Sequence, residues 1–346
     1  MTHPLKINLA LQGGGAHGAF TWGVLDRILA DDDIEIAAIS GTSAGALNGA
    51  AVKSGMISGG KAGARENLDW LWSKVGAVTD DVLTAWISSV SPTSAVMARA
   101  LETTPAYQAM DMAMRFFTPY TLPAFVDNPL RPIVEKFSYD KVCATDGPEL
   151  FVCATNVRTG KIRVFQGEEI SPDAILASAC LPTVFKAVEF EDPRTGQIEA
   201  FWDGGYTGNP ALFPLYEPHL PDDLVVVNIN PIVREEVPRN AQAIQNRINE
   251  VSFNTSLLRE LRAIDFVRRL IESGKIEDGQ MKQVLVHMIA DDALMNDLNV
   301  ATKLIPQPAI LARLKSAGQA AADRFLTDHK ADLGRQSSVD LRAMFD

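Results

Sequence analysis

The chain has 346 residues, 47% of them hydrophobic and 22% charged, with a formal net charge of −11 at neutral pH. That length and composition leave room for one large globular domain or two small ones with a sizeable core. The acidic balance, with no offsetting basic cluster, argues against a nucleic-acid partner and against electrostatic docking onto anionic lipid.

The N-terminus lacks a basic region followed by a long apolar core, and no stretch reaches about 18 unbroken apolar residues. Neither a cleaved signal nor a membrane span is expected. The expected address is the cytoplasm, with membrane contact at most peripheral. Cys143, Cys153 and Cys180 show no metal spacing and read as reduced, mostly buried thiols.

Lys6-Ile7-Asn8-Leu9-Ala10-Leu11 reads as a short buried strand. Gln12-Gly13-Gly14-Gly15-Ala16-His17-Gly18 follows, then an amphipathic stretch over 19–30 with apolar residues near helical spacing. Three successive glycines bare their backbone N–H groups. At the mouth of a helix such groups form an anion site. Two anions suit it: a phosphate, or the transient oxyanion of acyl transfer. Gly13, Gly15 and Gly18 satisfy the dinucleotide G-x-G-x-x-G spacing. That fingerprint also needs an acid at the end of the second strand. Asp31, Asp32, Asp33 and Glu35 come before or at that strand's opening instead, and no G-K-[ST] follows. Nucleotide binding stays open as an alternative without these parts.

The second strand, over 34–40, ends in Gly41-Thr42-Ser43-Ala44-Gly45, and a small-residue helix over 46–52 follows. A G-x-S-x-G pentapeptide between a strand and a helix has the context of a nucleophile elbow, whose strained serine points its hydroxyl out of the fold. Gly41 and Gly45 leave room where side chains would clash.

Residues 60–140 read as a helical insertion. It opens with Leu68, Trp70, Leu71 and Trp72 and continues as a soft segment with Met97, Met110, Met112, Met114, Phe116 and Phe117. This is either plain helical core or, over roughly 80–125, a lid or acyl-chain pocket wall. Residues 151–155 and 162–165 suggest a hairpin around Arg158-Thr159-Gly160. Ser171-Pro172 should start a helix over 173–179. Ala200-Phe201-Trp202-Asp203-Gly204-Gly205-Tyr206 sets an acid after an apolar strand, on a glycine turn. It is either a hairpin or cap, or a carboxylate placed to meet the serine of a neighbouring strand. Residues 224–229 read as a central strand. From about 240 the chain reads as a helical extension, over 241–273 and 308–330, with Glu260 among residues on a solvated helix face. The whole is expected as one domain with its α/β core over 5–230.

Together the glycine loop, G-x-S-x-G and the distant Asp-Gly-Gly resemble the patatin-like phospholipase family. Ala154-Thr155-Asn156-Val157-Arg158-Thr159-Gly160-Lys161 and Ala177-Ser178-Ala179-Cys180-Leu181-Pro182 are similar to two further blocks of that family. The resemblance implies a three-layer α/β/α fold on a mostly parallel sheet. It also implies a Ser–Asp dyad cleaving carboxylic esters of lipids, of phospholipase A or lysophospholipase type. Ser43 would be the nucleophile and Asp203 the general base. The oxyanion hole would come from Gly13, Gly14, Gly15 and Ala44, with Gly41, Gly45, Gly204, Gly205 and His17 supporting the site. Family members often carry Arg or Lys where this chain has His17, which leaves a positive charge near the loop dependent on pH.

No cofactor and no metal are expected, since His and carboxylates do not cluster in sequence. Lipid contact should run through apolar side chains. Thioesterase, acyltransferase and storage-polyester hydrolase chemistry would use the same site, and a non-catalytic lipid-binding or regulatory role is a further alternative. Of His3, His17, His219, His287 and His329, the last three follow Ser43 and Asp203 in the order that could complete a triad, and none of these three lies in a short glycine-bounded loop of the kind that presents such a residue. His287, in an apolar strand-like run, reads as a packed histidine.

Overall fold

The structure is a computed structural model that describes residues 4–77, 93–121, 128–239, 241–277 and 279–345. The strands are β1 (Leu5–Leu11), β2 (Ile34–Thr42), β3 (Glu149–Asn156), β4 (Ile162–Gln166), β5 (Val188–Asp192), β6 (Gln197–Asp203), β7 (Asp223–Val227) and β8 (Leu285–Ile289). They form one sheet in the order β5-β6-β3-β2-β1-β7-β8, with β4 hairpinned onto β3. The central pairs β3–β2, β2–β1, β1–β7 and β7–β8 are parallel. Antiparallel pairing is confined to the β3–β4, β3–β6 and β5–β6 side.

The main helices are α1 (Gly18–Leu29), α2 (Ala44–Gly76), α3 (Ser94–Glu102), α4 (Pro105–Phe116), α5 (Pro172–Ser178), α6 (Ala241–Glu272), α7 (Val300–Leu304) and α8 (Pro308–His329). Period-two alternation sorts the strand side chains into two cores. Leu9, Leu11, Ile39, Val225 and Val227 face α1, α2 and α8. Ala10, Ala38, Leu224, Val226 and Val286 face α6 through Leu257, Leu261 and Ile264. The result is a three-layer α/β/α architecture on a mostly parallel sheet.

The small-residue helix after Ser43 runs far beyond residue 52, with a break in helical geometry at Gly59 and Gly60. Its second half buries Leu68, Leu71 and Trp72. Met97 on α3 is buried, whereas Met110 and Met112 on α4 are exposed. Much of the lid expected over 80–125 lies outside the described residues, as does His3.

The C-terminal part corrects one expectation. It is not a purely helical extension, because β8 is an edge strand of the central sheet and α8 is the principal packing partner of α1. The apolar run 284–289 is buried by pairing with β7. Glu260 is also corrected. It turns inward, and its carboxylate accepts from the Leu212 and Phe213 N–H groups at 2.9 and 2.8 Å. Among the described residues no helix is long and apolar enough to cross a membrane.

Candidate active site

β3 brings the two distant chemical segments together. One edge of β3 carries β4 over Phe151–Thr155. The other edge is shared: β2 occupies it up to the pair Thr42↔Cys153, and β6 occupies it from the pair Asp203↔Ala154. β2 and β6 therefore run towards each other along one edge and stop at adjacent registers. Ser43 leaves the end of β2 just where Asp203 ends β6.

Ser43 has φ 55° and ψ −119°, and among the described residues it is the one non-glycine residue with positive φ. This strained turn sends the chain straight into α2, whose N-terminus lies beside the Ser43 side chain. The turn is possible because its neighbours lack side chains. A Cβ on Gly41 would sit 2.5 Å from the Gly45 carbonyl oxygen, and one on Gly45 would overlap the Leu11 carbonyl. The Ser43 N–H donates to Ser178 Oγ at 2.8 Å, so the Ala177-Ser178 segment at the end of α5 braces the turn. Ser43 is 8% exposed and Asp203 only 1%.

The Ser43 hydroxyl stands close enough to the Asp203 carboxyl to pull its pKa down. Burial pushes Asp203 up to about 7, against the opposing pull of the Gly205 N–H and of the nearby Ser43 hydroxyl. The Gly205 N–H donates to Asp203 Oδ1 at 2.7 Å. Gly204 packs so closely on β3 that a Cβ there would overlap the Cys153 carbonyl.

The glycine loop closes the third side. A Cβ on Gly13 would lie 2.7 Å from Ser43 Cβ, so only a bare backbone fits between loop and serine. Gly15 has φ +60°, and its Cα hydrogens face the Lys303 carbonyl with no space for a side chain. Among the described residues the N–H groups of Gly14, Gly15 and Ala44 have no partner. Gly13 differs from the expectation: its N–H is taken by Asn209 Oδ1 at 2.7 Å, so it anchors the loop and is no free donor. Asn230 Nδ2 donates to the Gly13 carbonyl at 2.8 Å, which pins the same residue from the β7 side.

His17 also differs. Its ring is buried, with Nε2 2.8 Å from Thr302 Oγ1. Burial, reinforced by the charges of Lys303 and Arg234, holds it well below the usual histidine range. It is a neutral packing residue joining the loop to α7 and supplies no positive charge. The other described histidines stand elsewhere. His219 bonds Glu149 at the far end of β3, His287 bonds Asp223 and Ser338, and His329 bonds Asp332.

Ser178, in a block already singled out in the sequence, belongs to the site's frame, as do Asn209, Asn230 and Lys303, which were not anticipated from sequence. Asn228-Ile229-Asn230-Pro231 at the end of β7 carried the one local signal, amides placed where the strand ends. Among the described residues no group of three or more His, Cys, Asp or Glu side chains could hold a metal ion. A cavity of about 800 Å³ lies behind the Asp203 turn between Tyr206, Phe213, Tyr216 and Arg259 on α6. Ser43 is not among the residues that line it.

The family model of the patatin-like phospholipases matches residues 9–216, more than half of the chain. No curated protein matches the chain significantly. Among solved structures, the chain is similar to VipD from Legionella pneumophila at 14% identity and a TM-score of 0.43, covering 94% of this chain and 67% of that one. It is also similar to the ExoU–SpcU complex from the type III secretion system of Pseudomonas aeruginosa, at 14% identity and a TM-score of 0.29. That match covers 94% of this chain and 52% of the other, so the chain spans about half its length.

Proposed function

The chain belongs to the patatin-like phospholipase family, a family of lipid ester hydrolases, and from that premise we propose that it cleaves carboxylic esters of phospholipids or lysophospholipids with Ser43 as nucleophile and Asp203 as general base. Asp203 takes the hydroxyl proton as Ser43 Oγ attacks the ester carbonyl. The charge that develops on the carbonyl oxygen meets the N–H groups of Gly14, Gly15 and Ala44 and the positive end of α2. The alcohol leaves with the proton from Asp203, and an acyl-Ser43 remains. A water then gives its proton to Asp203, attacks the acyl carbon and releases the fatty acid, and Asp203 returns the proton to Ser43.

The observation that supports this reading best is the closeness of Ser43, just past the end of β2, to the buried Asp203 at the end of β6, a carboxyl that burial pushes up to about 7. An ordinary carboxylate is a weak base for an alcohol, and raising its pKa by burial narrows that gap. With a net charge of −11, contact with lipid would run through apolar side chains. α6 exposes Ile244, Ile248 and Val251, and the segment before it exposes Val233 and Val237. The test is fatty-acid release from zwitterionic phospholipid vesicles. Ser43→Ala should abolish release while its circular dichroism matches the wild type, and retained release in that variant would reject the reading.

A further inference from the structure

Behind the glycine loop lies a buried chain of amides that ends in a cation. Gln12 Oε1 accepts from the N–H groups of Ile229 and Asn230 at 2.9 and 3.1 Å, which fixes it as an acceptor. Asn230 Nδ2 must then be the donor at 3.1 Å to Gln12 Oε1 and at 2.8 Å to the Gly13 carbonyl. This leaves Asn230 Oδ1 as an acceptor in a fully buried side chain. Among the described residues its one donor is Lys303 Nζ, at 3.0 Å. The same lysine's carbonyl abuts Gly15.

The orientation of Asn230 matters for the loop. β1 lies between β2 and β7, with Ser43 just past β2 and Asn230 just past β7. In a trans peptide the carbonyl and the following N–H point in opposite directions. A Gly13 carbonyl held by Asn230 therefore turns the Gly14 N–H towards the β2 side, where Ser43 stands.

We infer that Lys303 is a positioning residue for acyl transfer: through Asn230 its ammonium locks the Gly13–Gly14 peptide in the orientation that presents the Gly14 N–H to the oxyanion. This role rests on the hydrolase reading above. A charge-assisted bond is about twice as strong as a neutral one, so the lock is firm only while the lysine is protonated. Without it a buried acceptor is left unpaired, and the Asn230 amide holds the Gly13 carbonyl less firmly, beside a longer bond of 3.4 Å from Asn209 Nδ2.

The charged and titratable groups around Lys303 come from several elements. Glu250 on α6 favours the cation, and Arg234 before α6 opposes it. Arg234 and Arg247 are themselves paired with Glu250. His17 faces the same region and is neutral. Glu102 and Arg99 lie on α3, which packs on α7, and Asp292 lies near Arg234. The balance is set by burial, which brings Lys303 down to about 8. Its cation is present below that pH and lost above it. Tyr206 and Cys180, near Asp203, are pushed up to about 12 and titrate far outside this range.

The experiment measures kcat and KM on a soluble short-chain ester in a pH-stat, across roughly pH 5.5 to 10. Wild type, Lys303→Met and Lys303→Arg are compared. Wild-type kcat should fall as pH rises through about 8. Lys303→Met should lower kcat about ten- to a hundredfold with KM within about twofold, lose that alkaline limb and keep the acid one. Lys303→Arg should restore most of kcat and move the alkaline limb out of range. Wild-type kcat in Lys303→Met, or an alkaline limb that survives in it, overturns the inference. If Lys303→Met does not fold, a wild-type profile flat through pH 8 overturns it equally. A wild type that neither turns over ester nor takes up a fluorophosphonate overturns the hydrolase reading itself, and this role with it.

Discussion

Ser43 and Asp203 end two strands that meet head to head along one edge of β3, Thr42 pairing with Cys153 and Asp203 with the adjacent Ala154. Sheet register, more than any loop, brings the hydroxyl to the carboxyl. The arrangement is stiff, because β4 holds the other edge of β3 across the same residues.

With Asp203 as the proposed base, its raised pKa should set the acid side of the activity profile. The base form exists above the pKa, so kcat should rise with pH and reach half its limit near 7. Steady-state rates on a soluble ester check this. A half-point near the ordinary carboxylate value of about 4 would show that burial does not tune the base.

The same burial should cost stability. A carboxyl whose folded pKa exceeds its unfolded value destabilises the fold as pH rises from the unfolded towards the folded pKa. The penalty is absent below about 4, grows through the intervening range and is complete above about 7. Asp203→Asn keeps an acceptor for the Gly205 N–H and removes the charge. It should be more stable than wild type at pH 8, by on the order of 1–4 kcal/mol, with the gap closing as pH falls to about 4. Urea unfolding at several pH values measures it.

The turn at Ser43 makes a prediction about backbone strain. Positive φ costs a non-glycine residue about 1–3 kcal/mol, and alanine bears that cost as serine does. Ser43→Gly should therefore be more stable than Ser43→Ala by about 1 kcal/mol, once glycine's extra chain entropy is counted. Both variants should be inactive. Equal denaturation midpoints would mean that the strain is not felt.

Gly13 is the position where loop and serine touch. Gly13→Ala would drive a methyl to within 2.7 Å of Ser43 Cβ and 2.8 Å of the Thr42 carbonyl oxygen, with backbone on one side unable to yield cheaply. We expect at least a hundredfold loss of kcat/KM in a protein that still folds. A nearly unaffected variant would show that the loop has slack.

How far the sequence carries this picture depends on how local the signal is. The elbow, the glycine loop and the Asp203 turn each sit at a strand end, where alternation stops and glycines begin, and all three are legible in short windows. So is the Ser171 cap of α5, whose side chain accepts from the Ala174 N–H at 3.1 Å. The clamp on Gly13 is not legible. Asn209 and Asn230 lie about two hundred residues from the loop, and either amide alone reads as an ordinary turn residue. The Gly13 N–H looked free because nothing nearby in sequence competes for it. His17 looked like a switch because exposure is invisible in sequence, and α7, which buries it, comes 285 positions later. The strand at Leu285–Ile289 was readable as apolar, but its place beside β7 follows only from tertiary pairing.

The most direct test of the central claim is covalent capture of the nucleophile. The protein is treated with a fluorophosphonate at pH 8, and the adduct is located by peptide mass spectrometry in wild type and in Asp203→Asn. One adduct on Ser43 in the wild type, formed at least tenfold more slowly in Asp203→Asn, is the predicted result. An adduct on another residue, or equal labelling rates in the two proteins, would contradict it.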